Sequence, residues 1–168
     1  LTGVGLRSDM GMTPTQLIAD RADRLSGRTT TSILNDHGER FPPLATADPD
    51  TIDDAIALAN DLQVSLLDST RDSEDLAIRA CRHANTIDAD VAYCEGYARL
   101  APGTRPDRRT WVAVDGHVIE LASPKSGTFI DPPEHAEYFG VAIPAGRALH
   151  FSASDEYSRP FASYLDTK

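Results

Sequence analysis

The segment TWVAVDGHVIEL, residues 110–121, restricts the possible folds of this chain more than any other stretch. Short segments rich in apolar residues lie on both sides of Asp115-Gly116, which is typical of two short strands joined by a turn. An Asp-Gly pair favours a type I′ turn, because both central residues of that turn have positive φ. The segment therefore predicts two short antiparallel strands, and the fold must contain a sheet built on this hairpin.

Two other segments carry strand patterns. DVAYCEGYARL, residues 90–100, has Val91, Tyr93 and Tyr97 on one side and Ala92 and Cys94 on the other. GVAIPAGRALHF, residues 140–151, predicts a final pair of strands, or one strand followed by a bend. A long, proline-punctuated connection, residues 122–139, precedes it.

Helical periodicity marks three earlier segments. The first helix is predicted over residues 14–25, where Thr13 can cap it and Pro14 suits its first turn. The second begins near Asp50 or Thr51, and the third runs over residues 73–85 with Cys81 on its apolar face. Between the first two, residues 28–47 predict a loop with room for one short strand, and residues 152–165 predict a C-terminal helix broken at Pro160.

Helices followed by antiparallel strands indicate an α+β fold, in which N-terminal helices pack on a small antiparallel sheet. The chain has 168 residues, which suits a single domain over residues 12–168. Residues 1–11 are expected to form a flexible leader or an added remnant. No run approaches the roughly 20 apolar residues that cross a bilayer, so we expect no association with membrane.

The charge of −10 disfavours nucleic acid as a partner, because no net basic surface is available to release counter-ions. The kinds of charged residue that make up this charge have two explanations. The chain has 19 Asp against 7 Glu and 14 Arg against 2 Lys. Such Asp-rich, Lys-poor surfaces suit a protein in high salt, and a GC-rich genome favours the same residues. We carry both explanations forward.

The sequence contains few signals for disulfide bridges, metal sites or phosphate-binding loops. Cys81 and Cys94 are too few for a disulfide framework, so they form one bridge or, as we expect, two reduced and buried thiols. The histidines and acids lack metal-ligand spacing, and no glycine-rich phosphate loop is present. We therefore expect neither a metal nor a cofactor.

One local cluster of arginines is a candidate binding site. It flanks the loop 101–107 and comprises Arg99, Arg105, Arg108 and Arg109, with Trp111 close by in the chain. Guanidinium groups in this number could hold a carboxylate or phosphate of a partner. The alternative is a solvated loop whose charges balance an acidic surface.

A family resemblance rests on three motifs in order: YCEGYA (93–98), TWVAVDGHVIE (110–120) and YFGVAI (138–143). Together they resemble a small papain-like, transglutaminase-like group found in phage and bacterial proteins of unknown function. The resemblance covers about residues 72–143. It implies a papain-like core and a cysteine nucleophile, a histidine base and an orienting carboxylate.

Of the three implied roles, only the carboxylate falls directly on a suitable residue of this chain. The histidine position falls at Arg109 or Thr110, neither of which is a base near neutral pH. The carboxylate position falls at Glu120. The cysteine position falls at Leu76 or Ala77, and Cys81 reaches it only if the helix slides by about one turn.

Two function hypotheses follow. The first is a catalytically degenerate domain that acts as a binding or structural module, encoded by a virus or phage of a salt-rich host. It would bind a protein partner or a larger assembly, in the cytoplasm or in a virion. The second is a cysteine hydrolase or acyl-transferase with Cys81 as nucleophile, His117 as a non-standard base and Glu120 or Glu95 as the carboxylate. A plain acidic protein whose helices pack into an assembly is a third, simpler reading.

Overall fold

A computed structural model describes residues 11, 13–26, 34, 36–62, 73–120, 132 and 135–152. Its helices are α1 (Pro14–Ser26), α2 (Pro49–Asp61), α3 (Ser73–His83) and α4 (Ala145–Ser152). Its strands are β1 (Glu39–Phe41), β2 (Val91–Arg99), β3 (Asp107–Val114), β4 (His117–Ile119) and β5 (Glu137–Pro144). Short 3₁₀ turns lie at Leu44–Thr46 and Ala84–Thr86.

The three predicted N-terminal helices are present, and local side-chain caps explain where two of them begin. At α1, Thr13 Oγ1 accepts from the Gln16 amide at 3.2 Å while Gln16 Oε1 accepts from the Thr13 amide at 2.8 Å, a capping box. At α2, Asp48 Oδ1 accepts from the Thr51 amide at 2.8 Å, and Pro49 occupies the first turn. The helix therefore starts slightly earlier than its apolar periodicity suggests.

The strands form one five-stranded sheet in the order β1-β5-β2-β3-β4, with neighbouring strands antiparallel. The central strand β2 pairs along nearly its whole length with β3 on one side and β5 on the other. The hairpin turns at Asp115 and Gly116, whose φ values of 49° and 80° fit the predicted type I′ turn. The predicted α+β class, with helices on an antiparallel sheet, is confirmed.

The sheet curls until its two edges meet. Phe41 on the edge strand β1 pairs with Tyr138 on β5. Immediately afterwards, the Pro42 carbonyl accepts a hydrogen bond of 2.9 Å from the amide of Val118 on the opposite edge strand β4, and Pro43 forms a parallel bridge with Val118. We call this contact between Pro42–Pro43 and Val118 the seam. It gives the sheet an enclosed inner face and an outer face.

Both faces are packed. Side chains from α2, α3 and α4 cover the outer face; among them Leu58, Ala77, Cys81 and Ala148 join Tyr93, Val112 and Ile143 of the sheet. The inner face is filled by Phe41, Ala92, Cys94, Ala98, Trp111, Ala113, Val118, Ala136 and Tyr138. Alternate residues of each strand thus enter different cores, as expected for an extended backbone.

Residues 140–151 differ from the prediction. Instead of a second strand or a bend, β5 ends at Pro144 and α4 begins at Ala145. A proline has no amide to donate to a ladder but its φ suits a helix start, so Pro144 marks the change of element. β5 also begins earlier than predicted, at Glu137, within the expected connection 122–139. The C-terminal helix predicted for residues 152–165 lies outside the described residues except at Ser152, as do the leader 1–11 except at residue 11 and most of the connection. Within the described ranges, no helix is long and apolar enough to cross a membrane.

Candidate functional site

The alternation of strand β3 divides the candidate residues between the two faces of the sheet. Trp111 belongs to the inner core and Val112 to the outer core. By the same alternation, Arg109 lies on the inner side, whereas Arg108 and Thr110 lie on the outer, helix-covered side. Neighbouring residues in the sequence therefore cannot form one site at this position.

Trp111 is the centre of the inner face and is only 1% exposed. Its ring packs edge-on against Phe41 at 5.6 Å and against Tyr138 at 5.0 Å between centroids. The indole has room because Gly140, which pairs with Gly96 across β2 and β5, has no side chain. A Cβ atom on Gly140 would lie 2.7 Å from Cη2 of Trp111, closer than real Cβ contacts allow.

Glu120 joins Arg109 and Tyr138 in a polar cluster beside that tryptophan. Its Oε2 atom accepts from Arg109 Nη1 and from the Tyr138 hydroxyl, both at 2.8 Å. Burial, and then the negative charge of Glu120, raise the pKa of Tyr138, so its hydroxyl stays protonated and donates. Glu120 is 8% exposed, and its other oxygen, Oε1, has no hydrogen-bond partner within the described part of the chain, nor has Nε1 of Trp111.

The predicted arginine cluster is not a single cationic surface. Arg99 forms an ion pair of 2.8 Å with Glu137 across β2 and β5, and Arg109 is held by Glu120. The side chain of Arg108 is 48% exposed and its Nη2 lies 4.0 Å from Oε1 of the buried Glu95. Arg105 is exposed in the loop. Three of the four arginines thus face a carboxylate, which leaves little positive charge for an anionic partner.

The two thiols lie on opposite faces of the sheet, and both are free and buried. Desolvation by burial raises the pKa of Cys81 to about 12. Burial also raises the pKa of Cys94 well above its ordinary value, with a smaller contribution from nearby negative charge. A thiolate is disfavoured in both places. The expectation of two buried thiols, rather than a bridge between them, agrees with this arrangement.

Cys81, His117 and Glu120 are not brought together. Cys81 is in the outer core, whereas Glu120 binds Tyr138 of the inner core, so the sheet lies between them. His117 is half-buried next to the hairpin turn, where its Nδ1 lies 3.0 Å from the carbonyl oxygen of Asp115. The arrangement offers no support for these residues as a triad, which requires hydrogen bonds between its members.

The opposite end of the sheet is acidic. Asp88, Asp90 and Asp115 line a shallow groove with Pro144 and Ala145 at the start of α4. Asp115 is occupied there, since its Oδ1 accepts from the Asp90 amide at 3.0 Å and its Oδ2 from the Thr51 hydroxyl at 3.2 Å. Across the residues that the structure describes, no group of three or more His, Cys, Asp or Glu could hold a metal ion. Through these two bonds Asp115 connects α2, the hairpin and the start of β2.

Sequence reasoning missed the glycine pair and the role of Tyr138. A glycine inside a strand signals close approach of another group, and both Gly96 and Gly140 lie inside strand patterns. That signal could have located the space that Trp111 fills. Nothing in the sequence pairs Tyr138 with Glu120, because 18 residues separate them.

Comparisons of the chain with protein-family models, with curated proteins and with solved structures found no match.

Proposed function

We propose that this protein is a catalytically degenerate, papain-like or transglutaminase-like domain that acts as a binding or structural module. The observation that supports it most is the contact of 2.8 Å between Arg109, on the tryptophan strand β3, and Glu120, directly after β4. In the resembling group this neighbourhood would hold an imidazole and a carboxylate. A guanidinium remains charged at all physiological pH values and cannot accept a proton.

The state of the two cysteines supports the same proposal. A cysteine nucleophile works as a thiolate, which is favoured by partial exposure and by nearby positive charge. Cys81 is instead enclosed by apolar residues of three helices and the sheet, and burial raises its pKa to about 12. Cys94 is enclosed on the other face. Cys81 is therefore a packing residue in this proposal.

The proposal also includes the kind of partner that the module binds and the kind of organism that encodes it. We infer a protein partner or a larger assembly, because the acidic charge of −10 disfavours nucleic acid. An origin in a virus or phage and a place in the cytoplasm or a virion follow from the resemblance. The Asp-rich composition fits a salt-rich host, and it fits a GC-rich genome equally well.

Alkylation of the thiols across pH tests the proposal. Wild type, Cys81→Ser and Cys94→Ser would each be treated with iodoacetamide between pH 5 and pH 10, and labelling at each cysteine followed by mass spectrometry. We expect both thiols to react at least tenfold more slowly than in the urea-unfolded chain. Their rates should rise up to pH 8.5 or above without a plateau, since an unperturbed thiol has a pKa of about 8.5.

The single variants are matched controls, because each leaves one thiol to report on its own face of the sheet. A Cys81 that reacts faster in the folded than in the unfolded protein, with a midpoint well below pH 8.5, would identify an activated nucleophile. That result would replace the module by the cysteine hydrolase or acyl-transferase.

A further inference from the structure

The seam is the weakest junction of the sheet. In the part of the chain that the structure describes, a single bridge pair, Pro43 and Val118, joins the two edges, with the Val118 amide donating to the Pro42 carbonyl at 2.9 Å. Pro42 and Pro43 have no amide hydrogen, so this segment cannot donate a second bond at either position. The strands that flank the seam, β1 and β4, are three residues each.

The rest of the sheet is held more firmly. β2 pairs at eight positions with β3 and at eight with β5, so the centre of the sheet is tied by two long ladders. Helices α2, α3 and α4 also pack on its outer face. Native proteins open locally at the places with the fewest main-chain bonds and buried contacts, well before they unfold as a whole. In this sheet that place is the seam.

Opening there would separate two parts of the inner core. Phe41 on one side of the seam and Val118 on the other both belong to the inner core, where Phe41 packs against Trp111. Leu44, three residues after Phe41, lies in the outer core and can keep the following segment attached. The inner face would then be exposed while the helices stay in place.

We propose that the native sheet opens reversibly at the seam and admits small hydrogen-bonding solutes to its inner face. Two buried polar atoms there, Oε1 of Glu120 and Nε1 of Trp111, have no protein partner in the described ranges. Each would gain a hydrogen bond from an entering solute, which favours the open state. The opening does not rest on the module proposed above, since an enzyme with this sheet would open in the same way.

The two thiols make the test direct, because Cys94 reports on the inner face and Cys81 on the outer face. N-ethylmaleimide would be applied to the folded protein without denaturant and labelling of each cysteine followed by mass spectrometry. We expect Cys94 to react at least tenfold faster than Cys81. Equal rates at both cysteines would mean that only global unfolding exposes them, and would overturn the proposal.

A disulfide that locks the seam provides a second test of the proposal. Pro43 and Val118 are bridge partners, so the oxidised double variant Pro43→Cys/Val118→Cys should place a disulfide across the seam. We expect labelling of Cys94 to slow at least tenfold in this variant, whereas labelling of Cys81 is the internal control. Unchanged labelling of Cys94 in the locked protein would show that solutes reach it by another route.

Amide hydrogen exchange on the wild-type protein keeps the proposal testable if the locked variant fails to fold. The Val118 amide, which donates across the seam, should have a protection factor at least tenfold below that of amides in the centre of β2. Equal protection at the seam and in β2 would contradict local opening.

Discussion

At the scale of single residues, a glycine determines the packing of the inner face as much as its large side chains do. Gly96 and Gly140 face each other across two strands, and the tryptophan ring lies against Gly140, where a Cβ atom would come within 2.7 Å of it. Trp111 is 1% exposed in this position. The aromatic cluster with Phe41 and Tyr138 depends on the space at Gly140.

Gly140→Ala should destabilise the protein by about 1–3 kcal/mol, because the added methyl group overpacks a filled core. It would meet the Glu95 carbonyl as well as the indole of Trp111, and backbone cannot move aside as a flexible side chain can. Urea unfolding followed by circular dichroism measures the change.

Gly146→Ala is the matched control for that substitution. Gly146 lies in helix α4 with no atom within 4 Å of an added Cβ, so alanine there should be neutral or stabilising by up to about 1 kcal/mol. Equal effects of the two substitutions would mean that the glycine pair does not make room for Trp111.

At the scale of elements, the start of α2 and the β-hairpin hold each other in place. Asp48 caps the helix through the Thr51 amide, and the Thr51 hydroxyl donates to Asp115 at the hairpin turn. Asp115 also accepts from the amide of Asp90, which precedes β2. One polar chain thus fixes a helix, a turn and the central strand relative to one another.

The capping bond predicts a pH dependence for Asp48→Asn. The Thr51 amide lowers the pKa of Asp48 below the ordinary aspartate value of 3.8. A lowered pKa means that the charged cap stabilises the fold above pH 3.8, and that this stabilisation is lost as the pH falls through the lowered value. Asparagine caps the helix without a charge. The free energy of unfolding of wild type should therefore exceed that of the variant by more at pH 7 than at pH 3.

Urea unfolding at pH 7, 5 and 3 would measure that difference, with Asp53→Asn on the exposed side of the same helix as control. The control should show no such convergence with wild type. If the difference in the free energy of unfolding between wild type and Asp48→Asn stays constant down to pH 3, the cap contributes no charge-dependent stabilisation.

At the scale of the whole molecule, the buried acids that stay protonated make the fold sensitive to alkali. Burial raises the pKa values of Cys81, Cys94 and Tyr138. The unfolded chain therefore loses these protons at lower pH than the native protein does. The stabilisation is complete below the ordinary thiol value of 9.0 and declines as the pH rises towards the native values.

Cys81→Ala isolates one of these groups. Between about pH 9.5 and pH 11 the free energy of unfolding of wild type should fall more steeply than that of the variant, by up to about 1.4 kcal/mol per pH unit. Below pH 8 the two curves should run parallel, separated only by the loss of packing. Parallel curves throughout would show that the Cys81 thiol ionises as readily in the native protein as in the unfolded chain.

Charge is also arranged along the whole molecule. Asp88, Asp90 and Asp115 lie where β2 begins and β3 ends, and the arginines of the 99–109 region lie at the other end of the same strands. This arrangement follows from antiparallel pairing, which brings the loop 101–107 and the hairpin turn to opposite ends of the sheet.

Local signals in the sequence determined the parts of the fold that depend on near neighbours. The Thr13 and Asp48 caps, the Asp115-Gly116 turn and the alternation of β2 each act over a few residues, and each is present in the structure. The same signals could not set the register between distant segments. The resemblance pointed to Glu120 as a carboxylate position, but neither the resemblance nor the local pattern gave its partners.

Tertiary structure alone decided which candidates share a face and whether the sheet closes. A strand turns successive side chains to opposite sides, so Arg108 and Arg109 separate by geometry, and Cys81 and Glu120 are divided by the sheet. Closure at Pro42–Pro43 and Val118 joins residues more than seventy positions apart, a contact that depends on the curl of all five strands. Helix starts and turns arise from bonds within one short segment, whereas a shared face or a seam arises only when distant segments pack.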